Sequence, residues 1–304
     1  MRLSLRGNAP AIGDLTVHTV PDADEAFTDN AGPGFTPTSL VNAATSPHRL
    51  VFKTPVLQKD VRVSGTPTIT VRVAFSKPKA NLTAYLINYP GGSGNGTVIS
   101  RGWIDPENPH SPAKTEPITP GESIRLKFDM QPKDSVVVAG RRLGIMIISS
   151  DRDYTVRPAP GTELTVELDA SFATLPIVGG AAHVSSALYD WRGFLGNLEN
   201  PPVVNQANSN GVTELHFSLG GDLGLDVFAA GSPASRPIDC DTKEPLGDFE
   251  PTQNPNWGSL SYSAWQDEYT YPWKTDRAWK GTCREVVVTL ADGAAHNAWL
   301  RFVK

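Results

Sequence analysis

The chain has 304 residues, enough for two ordinary domains. Hydrophobic residues make up 39% and charged residues 19%, which places it among globular rather than disordered chains. The net charge of -5, with no basic stripe, argues against nucleic acid as a partner, and no apolar run approaches the roughly 18 residues that span a bilayer.

The 27 glycines and 26 prolines are scattered between short apolar runs, as in an all-β protein with many turns. Two short alternating runs open the chain, at 2–5 and 15–20, and the first seven residues carry no apolar signal-peptide core. A polar segment rich in Gly and Pro, 21–47, reads as a long surface loop. From Arg49 strands follow quickly, over 49–53, 60–65, 66–75 and 81–89. Pro-Gly-Gly-Ser-Gly-Asn-Gly at 90–96 then predicts a hairpin tip, with a return strand over 97–104. After a Pro-rich loop, strands are expected over 123–130, 141–149 and 163–169, the second preceded by a turn at 131–134. About nine or ten short strands without a convincing helix predict a two-sheet β-sandwich of jelly-roll (galactose-binding-like) type over 1–180.

The stretch 141–154 is the most informative. Leu143 to Ile148 is apolar, β-branched and too short for a membrane span, so it reads as a strand buried on both faces. It ends in a polar knot of Asp151, Arg152, Asp153 and Tyr154. That knot is a candidate binding site; the plainer reading is an Arg held between two carboxylates, with Tyr154 packed over the edge.

Composition shifts after the segment 181–202, which reads as a linker. Every tryptophan except Trp103 lies beyond residue 190. Strands are expected over 213–219, 225–229, 285–290 and 297–303, with a loop-rich middle, so 203–304 reads as a smaller β-sandwich. Its aromatics, Trp265 and Trp273 among them, form either a carbohydrate-stacking platform or the core of that sandwich. Cys240 and Cys283 either pair as a disulfide, the favoured reading, or stand reduced.

Catalytic motifs are sparse. Gly-Gly-Ser-Gly-Asn at 91–95 departs from Gly-x-Ser-x-Gly at its last position and lies between two strands, so Ser93 reads as a hairpin tip. His48, His110 and His183 have no acid or nucleophile at a spacing that implies contact. The Gly/Asp string at 220–226 lacks the repeats that a calcium-binding nonapeptide needs and reads as a tight turn. No Cys/His cluster has metal-ligand spacing, so neither metal nor cofactor is expected.

Six strings in order carry a resemblance: Ser-Pro-His-Arg-Leu-Val at 46–51, Val-Ser-Gly-Thr-Pro at 63–67, Arg-Gly-Trp-Ile-Asp at 101–105, Glu-Pro-Ile-Thr-Pro-Gly at 116–121, Ala-Gly-Arg-Arg-Leu-Gly at 139–144 and Ser-Asp-Arg-Asp-Tyr-Thr at 150–155. Together they resemble the C-terminal jelly-roll domain of the Xaa-Pro dipeptidyl-peptidase and cocaine-esterase family of serine hydrolases. The resemblance implies that the Ser-Asp-His triad belongs to an α/β-hydrolase domain preceding the jelly roll and missing from this chain. No residue here inherits a catalytic role, and the chain alone is expected to be inactive. The implied partner is that catalytic domain, with contacts between copies of the chain as an additional expectation. The last third resembles the PxKF domain of secreted bacterial proteins, through Tyr-Asp-Trp-Arg-Gly-Phe at 189–194, Phe-Ser-Leu-Gly-Gly-Asp at 217–222, Trp-Lys-Thr-Asp at 273–276 and Gly-Thr-Cys-Arg at 281–284. Glu214 and His216 stand where that motif has Pro and Lys. This second resemblance favours a Cys240–Cys283 disulfide and export of the parent protein. The competing function is a free-standing carbohydrate or cell-wall binding module that uses the late aromatics.

Overall fold

A computed structural model describes residues 1–7, 12–16, 23–30, 36–220, 223–291 and 293–303. The chain divides into two units, Met1–Leu188 and Tyr189–Lys304. Both are built almost wholly of β-strands, in sheets with a sandwich-like arrangement.

In the first unit the strands are β1 (Arg2–Arg6), β2 (Gly13–Thr16), β3 (Asp24–Thr28), β4 (Leu50–Lys53), β5 (Val61–Gly65), β6 (Thr68–Phe75), β7 (Leu82–Pro90), β8 (Thr97–Ile104), β9 (Ser123–Asp129), β10 (Lys133–Val137), β11 (Arg141–Ile148) and β12 (Glu163–Thr174). Hydrogen bonding runs in the order β8-β7-β11-β4-β2-β1-β12-β6-β9, with β3 on β12 and a separate β10-β5 pair. β11 lies between β7 and β4, and Leu143 through Ile148 are all buried. A strand flanked by two neighbours and covered on both faces has no polar side to show, hence the unbroken apolar run. The short helix α1 (Pro37–Asn42) lays Leu40 and Val41 on Val51, Tyr85, Tyr89 and Met146.

Several elements differ from what the sequence led us to expect. β3 and α1 fall inside the segment read as loop. Phe27 is the only buried residue of β3, so the strand owes its existence to pairing with β12 and not to its own pattern. β10 begins at the expected turn, and β12 runs five residues beyond the expected 169, through a bulge. The first part of the segment 181–202, read as a linker, belongs to a helix, α2 (Gly180–Leu188), within the first unit. The expected strand residues 17–20 and part of the 21–47 loop lie outside the described residues, as do Gly221 and Asp222 of the Gly/Asp string.

The second unit has the strands β13 (Phe194–Leu195), β14 (Val204–Ala207), β15 (Val212–Phe217), β16 (Ala234–Ile238), β17 (Glu250–Pro251), β18 (Ser261–Ser263), β19 (Glu268–Lys274), β20 (Cys283–Thr289) and β21 (Ala295–Phe302). They form two sheets, β13-β15-β19-β18 and β14-β21-β20-β16-β17. Leu215, Phe217, Tyr269, Tyr271 and Trp273 of the first pack with Val286, Val288, Leu300 and Phe302 of the second. The expected strand at 225–229 is only a single bridge, Phe228 with Leu290. Cys240 and Cys283 are disulfide-bonded, which ties the end of β16 to the start of its neighbour β20. Among the described residues no helix is long and apolar enough to cross a membrane.

Candidate functional site: the Asp151 knot

β11 delivers the chain to Ser149, Ser150 and Asp151, all buried although polar. Such residues keep their place only if their hydrogen bonds are made. Thr83 donates to the Ser149 carbonyl at 2.8 Å, and the Ser149 hydroxyl donates to the Asn81 carbonyl at 3.0 Å. The backbone N–H of Ser150 and its hydroxyl donate to the buried carboxylate of Asp29. Asp151 closes a turn by accepting at its carbonyl from the N–H groups of Tyr154 and Thr155, at 2.9 and 2.8 Å.

The Asp151 side chain is fully buried. Its Oδ2 accepts from the Tyr85 hydroxyl at 2.6 Å and from the Trp103 indole N–H at 3.0 Å, and it pairs with Arg101 at 3.4 Å. Oδ1 has no hydrogen-bond partner among the described residues. Burial, and then the bond to Asp151, push the Tyr85 hydroxyl far above the ordinary tyrosine range. The Arg101 guanidinium lies 5.1 Å from the Tyr85 ring centre and 4.6 Å from that of Tyr154, while Tyr154 stacks on Trp103 at 5.0 Å. The knot is therefore a buried carboxylate that aligns three donors from β7 and β8 and holds an aromatic ledge at the surface. Tyr154 is 59% exposed and Val156 92% exposed.

The sequence pattern placed Asp151, Arg152, Asp153 and Tyr154 together, but it pointed to the wrong cation. Asp151 pairs with Arg101, fifty residues earlier, and the carboxylate is buried where an exposed turn ion pair was the plainer reading. Arg101, Trp103 and Tyr85 were missed as site residues. Their only signal is that Arg101 and Trp103 belong to one of the strings that carry the family resemblance. Among the described residues no group of three His, Cys, Asp or Glu is gathered to hold a metal.

The late aromatics separate. Trp273 is 1% exposed, inside the core with Tyr269 and Tyr271, whereas Trp265 is 92% exposed in a turn between β18 and β19. Alternation along β19 turns every second residue inward, so Trp273 is core and does not share a surface with Trp265. His216 lies on β15 between two carboxylates, its Nδ1 at 2.7 Å from Glu268 and its Nε2 at 3.3 Å from Glu214. Ser93 is exposed at the β7–β8 hairpin tip, and His48 and His183 hydrogen-bond to the carbonyls of Thr28 and Asp60.

Residues 4–187 match the X-Pro dipeptidyl-peptidase C-terminal non-catalytic domain. The chain is 36% identical over 197 residues to a Rhodopirellula baltica protein and 47% identical over 131 residues to one from Bacillus cereus, each named "Putative Xaa-Pro dipeptidyl-peptidase". These matches cover 58% and 43% of this chain, and the chain spans only 31% and 22% of those relatives' own length. A solved α-amino acid ester hydrolase is similar at a TM-score of 0.48 and 15% identity, over 58% of this chain and 36% of that one.

Proposed function

The chain belongs, over residues 4–187, to the family of X-Pro dipeptidyl-peptidase C-terminal non-catalytic domains, and from that premise we propose that it is the accessory region of an Xaa-Pro dipeptidyl-peptidase or related acyl-ester hydrolase. The chemistry belongs to an α/β-hydrolase domain. This region covers that domain and helps to shape the entrance to its active site. The observation that supports the reading is the ledge of Trp103, Tyr154 and Val156 beside the buried Asp151. A rigid aromatic surface next to an exposed aliphatic residue suits a protein partner. Export of the whole protein accords with the Cys240–Cys283 bridge, because such bonds persist in oxidising compartments.

The purified chain is assayed on chromogenic Xaa-Pro amides and short-chain esters. No turnover above the buffer rate is expected. Turnover that survives purification and disappears in Ser93→Ala or Ser150→Ala overturns the reading. Binding to a separately expressed α/β-hydrolase domain of the family is expected to weaken about tenfold or more in Tyr154→Ala/Val156→Asp. Unchanged binding in that variant removes the ledge from the interface.

A second reading, a carbohydrate or cell-wall module in the last third, is favoured by the exposure of Trp265 and Trp257, at 92% and 70%. Retention on insoluble polysaccharide that is lost in Trp265→Ala supports it, and no retention removes it.

A further inference from the structure

A cavity of about 380 Å³ opens on the first unit over the bulge in β12, lined by Arg2, Arg72, Ser123, Arg125, Ala170 and Phe172. The bulge falls between Glu167 and Phe172, where the register between β12 and β6 shifts. The buried Ser171 hydroxyl fastens it, accepting from the Arg72 backbone N–H at 3.0 Å and donating to the Glu167 carbonyl at 2.6 Å. Bulges re-aim side chains and often lie beside sites.

The charges around this cavity are not balanced locally. Arg72 and Arg125 are direct cross-strand partners, an arrangement that like charges disfavour. The same row continues through Glu167 on β12 to Asp24 on β3, so the carboxylates gather at one end and the guanidiniums at the other. Glu167 is fully engaged: Oε2 pairs with Arg72 Nε at 2.8 Å, and Oε1 accepts from Ser123 at 2.5 Å. Arg125 has no ion-pair or hydrogen-bond partner for its side chain among the described residues. Among the described residues Arg2 is held by stacking alone, its guanidinium carbon 3.7 Å from the Phe172 ring centre. Asp169, in the bulge, is exposed and does not line the cavity.

We infer that this cavity binds a small oxyanion, a phosphate- or carboxylate-bearing molecule, between Arg2, Arg72 and Arg125. Planar guanidiniums recognise such groups through paired, charge-assisted hydrogen bonds. Stacking of Arg2 on Phe172 and pairing of Arg72 with Glu167 preorganise two of the three, which lowers the cost of ordering them on binding. A bound anion also relieves the Arg72–Arg125 repulsion. The cavity is too small for a protein segment of any length, so the occupant is a small molecule.

The test is calorimetric titration of the whole chain at low salt with inorganic phosphate and, separately, with citrate. Saturable 1:1 binding of at least one probe is expected, weakening as salt rises. Arg125→Gln and Arg2→Gln are each expected to lower its affinity about tenfold. Thermal midpoints without ligand should hold steady in Arg2→Gln and hold or rise in Arg125→Gln, because the latter removes a like-charge pair. Saturation by phosphate alone assigns a phosphate-type ligand, and saturation by citrate alone a carboxylate. No saturable heat from either probe, binding in Arg125→Gln within twofold of the parent chain, or binding of a Glu-rich peptide with neither small anion overturns the inference.

Discussion

The hydroxyl of Tyr85, on β7, donates to the carboxylate of Asp151, beyond the end of β11, across 2.6 Å of buried space. Tyr85, Trp103 and Arg101 all aim at the same oxygen, so one carboxylate sets the orientation of three side chains. Asp151→Ala leaves those donors without their acceptor and is expected to cost about 3–5 kcal/mol. Tyr85→Phe removes one charge-assisted bond and leaves two, for about 1.5–3 kcal/mol. Urea unfolding followed by near-UV circular dichroism measures both. A smaller loss for Asp151→Ala than for Tyr85→Phe contradicts this arrangement.

Gly144 faces the ring of Tyr89. A Cβ at 144 would stand 2.5 Å from one ring carbon and 3.3 Å from the Phe52 carbonyl oxygen, which belongs to the neighbouring strand. Gly144→Ala is therefore expected to destabilise by about 1–3 kcal/mol through overpacking. Adding Tyr89→Leu should recover part of that loss, a non-additivity that a double-mutant cycle detects.

The Tyr89 hydroxyl is buried without a hydrogen-bond partner among the described residues, and desolvation pushes its pKa from 10.0 up to about 12, against the opposing field of Arg49. The fold thus favours the neutral phenol. Its contribution is whole below pH 10 and falls away as pH rises through 12, by about 2–3 kcal/mol in all. Tyr85 shifts in the same direction. Tyr89→Phe is expected to flatten the loss of stability between pH 10 and 12 and to change stability near neutral pH by no more than about 0.5 kcal/mol. Denaturation midpoints across that range provide the check. An unaltered alkaline slope refutes it.

Cys240 and Cys283 are 43 residues apart in sequence. Closing a loop of that length implies about 4 kcal/mol of stabilisation in the chain-entropy account. Reduction should lower the unfolding midpoint of the second unit and leave the knot around Asp151 intact. Thiol labelling of the denatured, unreduced chain should find no free thiol; two labelled cysteines would refute the bridge.

The strands that lie at the centre of a sheet were the most legible. Burial on both faces of β11 demands an apolar run, and residues 143–148 display it without reference to any neighbour. The tip at 90–96 and the return strand over 97–104 were equally plain, because turn residues and alternation are local properties. β3 and β10 were not, since they are polar strands stabilised by partners far along the chain. β19 carried its alternation openly in Tyr269, Tyr271 and Trp273, yet the same spacing suits an exposed aromatic face. Only the packing of two sheets distinguishes inside from outside.

The sequence by itself determined the all-β class, the apolar strand that leads to the Asp151 knot, and the family to which residues 4–187 belong. Those properties are written in alternation, turn chemistry and ordered strings, each read within a few tens of residues. The tertiary structure alone decided that Asp151 pairs with Arg101 and not Arg152, that Trp273 is core while Trp265 is surface, and that Arg2, Arg72 and Arg125 share one cavity. Charge partners and burial depend on which strands become neighbours, and strand order joins residues from opposite ends of the unit, as β1 to β12.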